Sequence, residues 1–281
     1  MAPRAVHPPS AALARNVERL AMSRLALILL ACLSSASVMA KDFPAAGAQY
    51  DSQLGGAYTP PAGTRIVSRD RSEAPAPGLY NVCYVNAFQT QPGENAWWQA
   101  NHPDLILTAE GRPVEDENWP GEYLLDTSTA AKRGALADII GDWIEGCARD
   151  GYDAIEADNL DTYSRSDGRL KIEDNLAFVG LLIEKAHDLW LAFGQKNGVG
   201  LLDRADLPAF DFAITESCQV YDECGPYAER YGARVLEIEY TDTESRFFEQ
   251  ACAARGGQFS IILRDRNLQP PGMPGYTYRS C

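Results

Sequence analysis

Between Gly151 and Asp161 the chain places four carboxylates in eleven residues: Asp153, Glu156, Asp158 and Asp161. The run from Asp153 to Ala157 alternates as a strand does. Side chains two apart on a strand share a face, so Glu156 and Asp158 point one way and Ile155 and Ala157 the other. An ordinary buried strand carries Val, Ile and Leu on both faces, whereas this one turns two acids to its inner face. A further acid, Glu216, follows the similar run Asp211-Phe-Ala-Ile-Thr215. Two carboxylates facing one pocket, without a histidine cluster or a glycine-rich phosphate loop, are what glycoside hydrolysis needs. One acid must be protonated to release the leaving sugar, and one carboxylate must attack or activate water. Like charges held close push one pKa upward and so separate the two roles. The competing readings are structural: an exposed acid-rich turn, an ion pair between Asp158 and Lys196, and for Glu216 a loop acid beside a disulfide.

The elements that position these acids are read from hydrophobic spacing. Arg65–Arg69 and Leu79–Asn86 alternate as strands, and a short strand is expected at Glu122–Asp126. From Ser128 to Asp150, Leu136, Ile139, Ile140, Trp143, Ile144 and Cys147 keep the i, i+3, i+4 spacing of one buried helical stripe. Gly151 stops that helix and the acidic strand begins. A second helix, Lys171–Leu189, leads into a strand at 190–195. Strands at 211–215, 234–240 and 260–264 follow, with a helix over Thr243–Arg255 between the last two. Trp97 and Trp98 fall in a polar loop, and with Trp119 they offer faces on which sugars stack.

Such alternation of strand and helix gives a parallel sheet with helical crossovers. Eight strands counted from Arg65 predict an α/β fold, a (β/α)8 TIM-type barrel, with Tyr50–Leu54 as an extra N-terminal strand. Chemistry in such a barrel sits at the carboxyl ends of the strands. Those ends carry Asn86, Asp126, Asp158-Asn159, Lys196-Asn197, Glu216, Glu239-Tyr240 and Arg264-Asp265.

Residues 1–40 read as a leader. Met22-Ser-Arg-Leu-Ala-Leu-Ile-Leu-Leu-Ala-Cys-Leu joins a basic start to a short apolar run, and Ser37-Val-Met-Ala40 offers a cleavage site. The apolar run is too short to span a bilayer permanently. Residues 1–21 read as an upstream extension. Secretion to the exterior or periplasm is the expectation, with lipid anchoring at Cys32 as the competing one. Removing residues 1–40 takes away Arg4, Arg15, Arg19, Arg24 and Glu18, which moves the formal charge from −14 to −17. So acidic a surface repels nucleic acid and anionic lipid and attracts a cationic ligand.

Six cysteines then remain, an even number that behind a leader implies disulfides. Cys218 and Cys224 are spaced to close a small loop, and Cys281 reads as a staple for the tail. Cys83, Cys147, Cys252 and Cys281 allow three pairings, and spacing does not choose among them. With only His102 and His187 left, a histidine triad or metal centre is not expected, and no metal or cofactor is called for.

Taken together, Trp119-Pro-Gly-Glu with Leu125-Asp, Glu156-Ala-Asp-Asn-Leu-Asp161, Gly194-Gln-Lys-Asn197, Glu216-Ser-Cys-Gln-Val-Tyr-Asp-Glu-Cys224 and Glu237-Ile-Glu-Tyr240 resemble glycoside hydrolase family 114, the endo-α-1,4-polygalactosaminidases. The resemblance runs from about Tyr50 to the last strand. It departs at Ala157, where the family usually carries proline, and near Tyr50, where it carries tryptophan. It implies a barrel over 41–281 as one domain, acting on galactosamine-containing polysaccharide. It also implies catalytic carboxylates after the fourth and sixth strands: Asp158 as nucleophile and Glu216 as acid/base, with retention of configuration. The expected substrate-binding set is Gln53, Asn86, Asp126, Asn159, Asp161, Lys196, Asn197, Glu239 and Tyr240, with Glu156 supporting from below. The expected partner is the polysaccharide alone, bound by a monomer with no nucleic acid and no integral membrane span. A non-catalytic polysaccharide-binding barrel and an α-glycosidase of other specificity are the alternatives.

Overall fold

The computed structural model describes residues 43–281; the expected leader, including Cys32, lies outside the described residues. In chain order the strands are β1 (Tyr50–Ser52), β2 (Ile66–Asp70), β3 (Tyr80–Asn86), β4 (Thr108–Ala109), β5 (Arg112–Pro113), β6 (Ala154–Asp158), β7 (Ala192–Lys196), β8 (Phe212–Glu216), β9 (Val235–Tyr240), β10 (Ser260–Arg264) and β11 (Tyr278–Ser280). The helices are α1 (Asn95–Asn101), α2 (Ala130–Asp150), α3 (Ile172–Asp188), α4 (Cys224–Tyr231) and α5 (Arg246–Arg255). One sheet runs β1-β2-β3-β6-β7-β8-β9-β10-β11, parallel from β1 to β10, with β11 antiparallel at the end. This is the expected (β/α)8-type barrel, with the N-terminal strand β1 at one edge.

The barrel closes without a ladder between β1 and β10. Arg264, fully buried, bridges the seam: Nη1 pairs with Asp51 at 2.9 Å and donates to the Ser52 carbonyl, and Nε donates to Thr277 O at 2.9 Å. Tyr278 Oη adds a bond to Tyr50 O at 2.8 Å. A buried guanidinium can do this because each donor has a partner, which offsets the cost of taking its charge out of water.

Strand membership differs from the sequence expectation: β1 is one of the eight barrel strands rather than an extra, β11 and the β4–β5 pair were not expected, and 122–126 drops out. Residues 122–126 do not join the sheet: β3 pairs directly with β6, and Tyr123, Leu124 and Leu125 make only isolated bridges to Glu115, Gln89 and Ile106. Leu124 and Leu125 are both buried, in two different clusters, so loop packing satisfies the apolar alternation that resembled a strand. With β1 counted and 122–126 left out, Asp158 still ends the fourth parallel strand and Glu216 the sixth.

Helix ends follow ordinary capping. Thr129 Oγ1 accepts from Lys132 N at 3.3 Å to open α2, and Gly151, at φ +95°, closes it in the left-handed conformation. Leu136, Ile140, Ile144 and Cys147 form its buried face, as the spacing predicts. Trp97 and Trp98 lie on α1 rather than in a loop; seven residues are too few to show a periodic stripe.

Alternation along the strands separates two cores. Ile66, Val82, Ala154, Phe212, Ile214, Leu236, Ile238 and Ile262 fill the barrel, while Ile155, Ala157 and Phe193 meet the helices outside. Gly194 is required in the interior, because a Cβ there would stand 2.5 Å from Ile214 Cδ1 and 2.7 Å from Phe212 Cζ. Three disulfides join Cys83 to Cys147, Cys218 to Cys224 and Cys252 to Cys281, so β3 is tied to α2 and the tail to α5. Among the described residues no helix is long and apolar enough to cross a membrane.

Candidate active site

At the carboxyl ends of the strands a cavity of about 380 Å³ opens, walled by Asp158, Asn159, Asp161, Lys196, Asn197, Glu216 and Tyr240, together with Tyr84, Trp119, Glu122, Arg165 and Arg266. Its floor is built around one lysine. The Lys196 side chain is 3% exposed, and its Nζ lies 3.1 Å from Glu156 Oε1, 3.2 Å from Asp158 Oδ2 and 3.5 Å from Glu216 Oε2. Strand register brings these groups together. Glu156 and Asp158 are successive inward residues of β6, Gly194 sits beside Glu156, and Lys196 ends the neighbouring β7. Contact with both carboxylates, at 3.2 and 3.5 Å, bounds the Asp158 Oδ2 to Glu216 Oε2 separation at about 6.7 Å.

Each carboxylate has its own second support. Asp158 Oδ2 accepts from Tyr84 Oη at 3.0 Å, and Oδ1 accepts from Asn159 N at 2.8 Å. Glu216 accepts from Asn197 Nδ2 at 2.8 Å and from Tyr240 Oη, while its backbone N donates to Asn197 Oδ1 at 2.8 Å. Asn159 and Asn197 both sit at positive φ, +66° and +50°, a conformation asparagine tolerates better than most residues. That turn aims each asparagine back at its strand end.

Burial and charge act in opposition here. Burial works to raise the Glu216 carboxyl, but Lys196, the bonds from Tyr240 and Asn197, and Arg266 together hold it below the usual value. Burial works to lower the Lys196 ammonium, yet Asp158, Glu216 and Glu156 raise it well above an ordinary lysine, so it stays charged. Glu156 is raised, by burial first, against the pull of Lys196. Tyr84 and Tyr240 are raised well above the normal phenol, by burial and then by Asp158 and Glu216 respectively, and remain donors.

Other expected site residues lie elsewhere. Asn86 is buried just behind the wall, donating to Glu122 Oε2 at 2.9 Å and accepting from Asn159 at 2.9 Å. Gln53 does not reach the cavity; its amide is engaged with Asp51, Arg69 and Tyr58 N near the seam. Asp126 pairs with Lys132 and accepts from Ser128 N at the start of α2, also away from the cavity. Glu239 points outward with Glu237, because neighbouring Tyr240 points in. Its Oε1 accepts from Gln219 N at 3.0 Å, beside the Cys218–Cys224 disulfide. Cys218, Cys224 and Glu237 form a compact donor cluster among the described residues, but both sulfurs are engaged in that disulfide.

Several wall residues were not read from the sequence. Tyr84 was legible in principle, since it shares the inward face of β3 with Val82 and pairs in register with Glu156. Arg165, which binds Asp116 at 2.7 Å and Asp161 at 2.8 Å, had no signal, because a short 3-10 turn delivers it. Of the three tryptophans considered as sugar platforms, only Trp119 lines the cavity; Trp98 is buried against Trp143.

A parallel eight-stranded barrel with two carboxylates and a shared lysine at its carboxyl end fits the glycoside hydrolase class. Residues 32–281 match the family model of glycoside-hydrolase family GH114, and the chain belongs to that family. Among solved structures it is similar to Ega3 of Aspergillus fumigatus, solved in complex with galactosamine, at 22% identity and a TM-score of 0.67, covering 88% of this chain and 100% of that one. The glycoside hydrolase domain of PelA from Pseudomonas aeruginosa is 14% identical with a TM-score of 0.55, covering 80% and 97%. At these identities the likeness shows the shared fold. No curated protein sequence matches the chain.

Proposed function

We propose that the protein is a retaining, endo-acting hydrolase of α-1,4-linked galactosamine-containing polysaccharide. The observation that carries the reading is the Lys196 ammonium gathering Asp158 and Glu216 at the cavity floor. The bound of about 6.7 Å favours the spacing of ~5–5.5 Å typical of retention over the ~6.5–9.5 Å of inversion. Asp158 attacks the anomeric carbon and forms a glycosyl ester, while Glu216, which Lys196 and its other partners hold below the usual value in the empty cavity, takes up a proton as the sugar displaces water and gives it to the departing sugar oxygen. Glu216 then takes a proton from water, whose oxygen displaces Asp158. Tyr84 and Lys196 hold the nucleophile throughout, and Asn197 and Tyr240 hold the acid/base.

Family membership, the acidic charge and the galactosamine bound to Ega3 support an amino-sugar substrate. The leader and three disulfides support export to an oxidising compartment. Asp158→Asn and Glu216→Gln are each expected to lower cleavage of partly deacetylated galactosaminogalactan by at least about a thousandfold in chains that remain folded at the assay temperature. Full activity in both variants sinks the assignment of roles. An inverted anomer among the first products, read by NMR, sinks retention alone.

A further inference from the structure

Two of the sequence motifs are only half used by the cavity. Glu216 and Tyr240 face it, but Gln219 of Glu216-Ser-Cys-Gln219 and the two acids of Glu237-Ile-Glu-Tyr240 meet on the other side of the barrel wall. There the outward faces of β6 and β10 carry Ile155, Ala157, Ile261 and Leu263 against the helices. On β9 the outward positions hold Glu237 and Glu239, both fully buried. Burying two carboxyl groups costs free energy unless hydrogen bonds there offset it.

What the two acids hold is the loop that leaves Glu216. Ser217, at φ +57°, donates from its backbone N to Ile238 O at 2.8 Å and extends the β8–β9 pairing one residue past Glu216. Two residues on, Gln219 N donates to Glu239 Oε1 at 3.0 Å. Gln219 Oε1 accepts from Arg255 Nη2 of α5 at 2.8 Å, and the same Nη2 donates to Glu237 Oε1 at 2.9 Å. The Cys218–Cys224 disulfide closes the loop around these contacts. β9 therefore grips the Glu216 segment from both faces. Tyr240 donates to the carboxyl inside the barrel, and Glu239 accepts from the loop backbone outside it.

We propose that Glu239 is a positioning residue for Glu216: with Arg255 it clamps Gln219 from outside the cavity, fixes the loop that follows the acid/base, and so aims the Glu216 carboxyl at the departing sugar oxygen. This role rests on the proposed role of Glu216 and goes beyond it, since Glu239 lies outside the cavity and acts only through the loop. Misplacing a reacting group by about 1 Å costs about a hundredfold in rate, so a loosened loop shows in proton donation before it shows in binding. Burial raises the Glu239 carboxyl to about 7, opposed by the bond from Gln219 N, reinforced by Glu237 and opposed by Arg255. Below that pH it carries a proton, and glutamine at 239 copies it: the amide oxygen still accepts from Gln219 N, and an N–H replaces the O–H.

The test compares two substrates at pH 6 on the full chain. One is an α-1,4-galactosamine polymer, whose leaving group needs a proton. The other is the dinitrophenyl α-glycoside of a galactosamine oligomer, whose leaving group needs almost none, so that its kcat/KM reports formation of the glycosyl ester alone. Glu239→Met keeps the volume and removes the acceptor. It is expected to lower kcat/KM per folded molecule on the polymer by about tenfold or more, through kcat rather than KM, and on the dinitrophenyl glycoside by no more than about twofold. Glu239→Gln is expected to bring the polymer back to within about twofold of the native chain. Equal losses on the two substrates, full polymer activity in Glu239→Met, or no restoration by Glu239→Gln each overturn the positioning role. Where Glu239→Met does not fold, Gln219→Ala decides, because Gln219 is only half-buried and the change removes the Arg255 side of the clamp. A selective loss of about fivefold on the polymer is then expected, and an unchanged rate overturns the role. A native chain that cleaves neither substrate sinks the glycosidase reading and this role with it, whereas an active native chain with an equally active Glu239→Met sinks this role alone.

Discussion

Among the described residues Lys196 is the one cation that pairs with both proposed reacting carboxylates, and its removal separates structural from catalytic consequences. With Lys196→Met, the burial that raises Glu216 loses the first of the effects opposing it, so the Glu216 carboxyl rises. Since Glu216 must be protonated to release the leaving sugar, activity falls as pH rises through its pKa. The alkaline limb of kcat/KM therefore moves to higher pH in the variant, and an unmoved limb with measurable activity would show that Lys196 does not set the acid. The same change leaves Glu156, which is fully buried, without its cation. Breaking a buried pair by removing one partner costs about 3–5 kcal/mol, so melting is expected to fall by roughly 10 °C. The acids on either side were legible because period-two alternation put Glu156 and Asp158 on one face. The lysine's central position was not, because it depends on parallel register between β6 and β7 and on the space that Gly194 leaves.

At the scale of elements, β9 shows both the strength and the limit of such alternation. Glu239 and Tyr240 are adjacent at a strand end, and the polarity of both suggested one shared site. Adjacent residues on a strand take opposite faces, so only Tyr240 reaches Glu216, while Glu239 is buried against Gln219 and Glu237. Burial raises the Glu239 carboxyl to about 7, opposed by the bond from Gln219 N and reinforced by Glu237. A carboxyl raised from 4.5 favours the folded state fully below about 4.5, and that contribution is lost as pH rises through about 7. Glu239→Gln, neutral at every pH, is therefore expected to flatten the decline in melting temperature between pH 5 and 8, by a contribution of up to about 3 kcal/mol. Glu122, also raised to about 7, keeps part of the slope. An identical pH profile in the variant would mean that Glu239 is ionised in the fold. Elsewhere, the strand β1 was expected as an extra over Tyr50–Leu54 but is one of the eight barrel strands and ends at Ser52, and 122–126 was over-read because its buried leucines imitate a strand. Long elements such as α2 were read nearly to their ends, since twenty-one residues hold a full apolar stripe and two capping signals.

At the scale of the molecule, the barrel has one weak seam, and the tail is arranged to hold it. β1 and β10 meet through Arg264, Asp51 and Tyr278, and Tyr278 belongs to β11, the strand that Cys281 ties back to α5. Cys281 N also donates to Ile261 O at 3.3 Å, so the last residue continues the pairing with β10. That the tail is stapled was legible from a cysteine at the chain's end. That the staple closes a barrel was not, because closure depends on long-range register that no local pattern encodes. The seam network runs through Gln53 and Asp51 and stays out of the cavity wall, so the seam and the chemistry are separable. Replacing Cys252 and Cys281 together by serine releases a loop whose ends are 29 residues apart, which by loop entropy costs about 3–4 kcal/mol. The expected outcome is a melting temperature lower by roughly 10 °C, with kcat/KM at 25 °C within about twofold of the native chain, since Lys196, Asp158 and Glu216 keep every contact. A large loss of activity in a variant that is still folded at 25 °C would mean that the seam transmits strain to the carboxyl ends of the strands. A variant with native melting would mean instead that Arg264 closes the barrel without the staple.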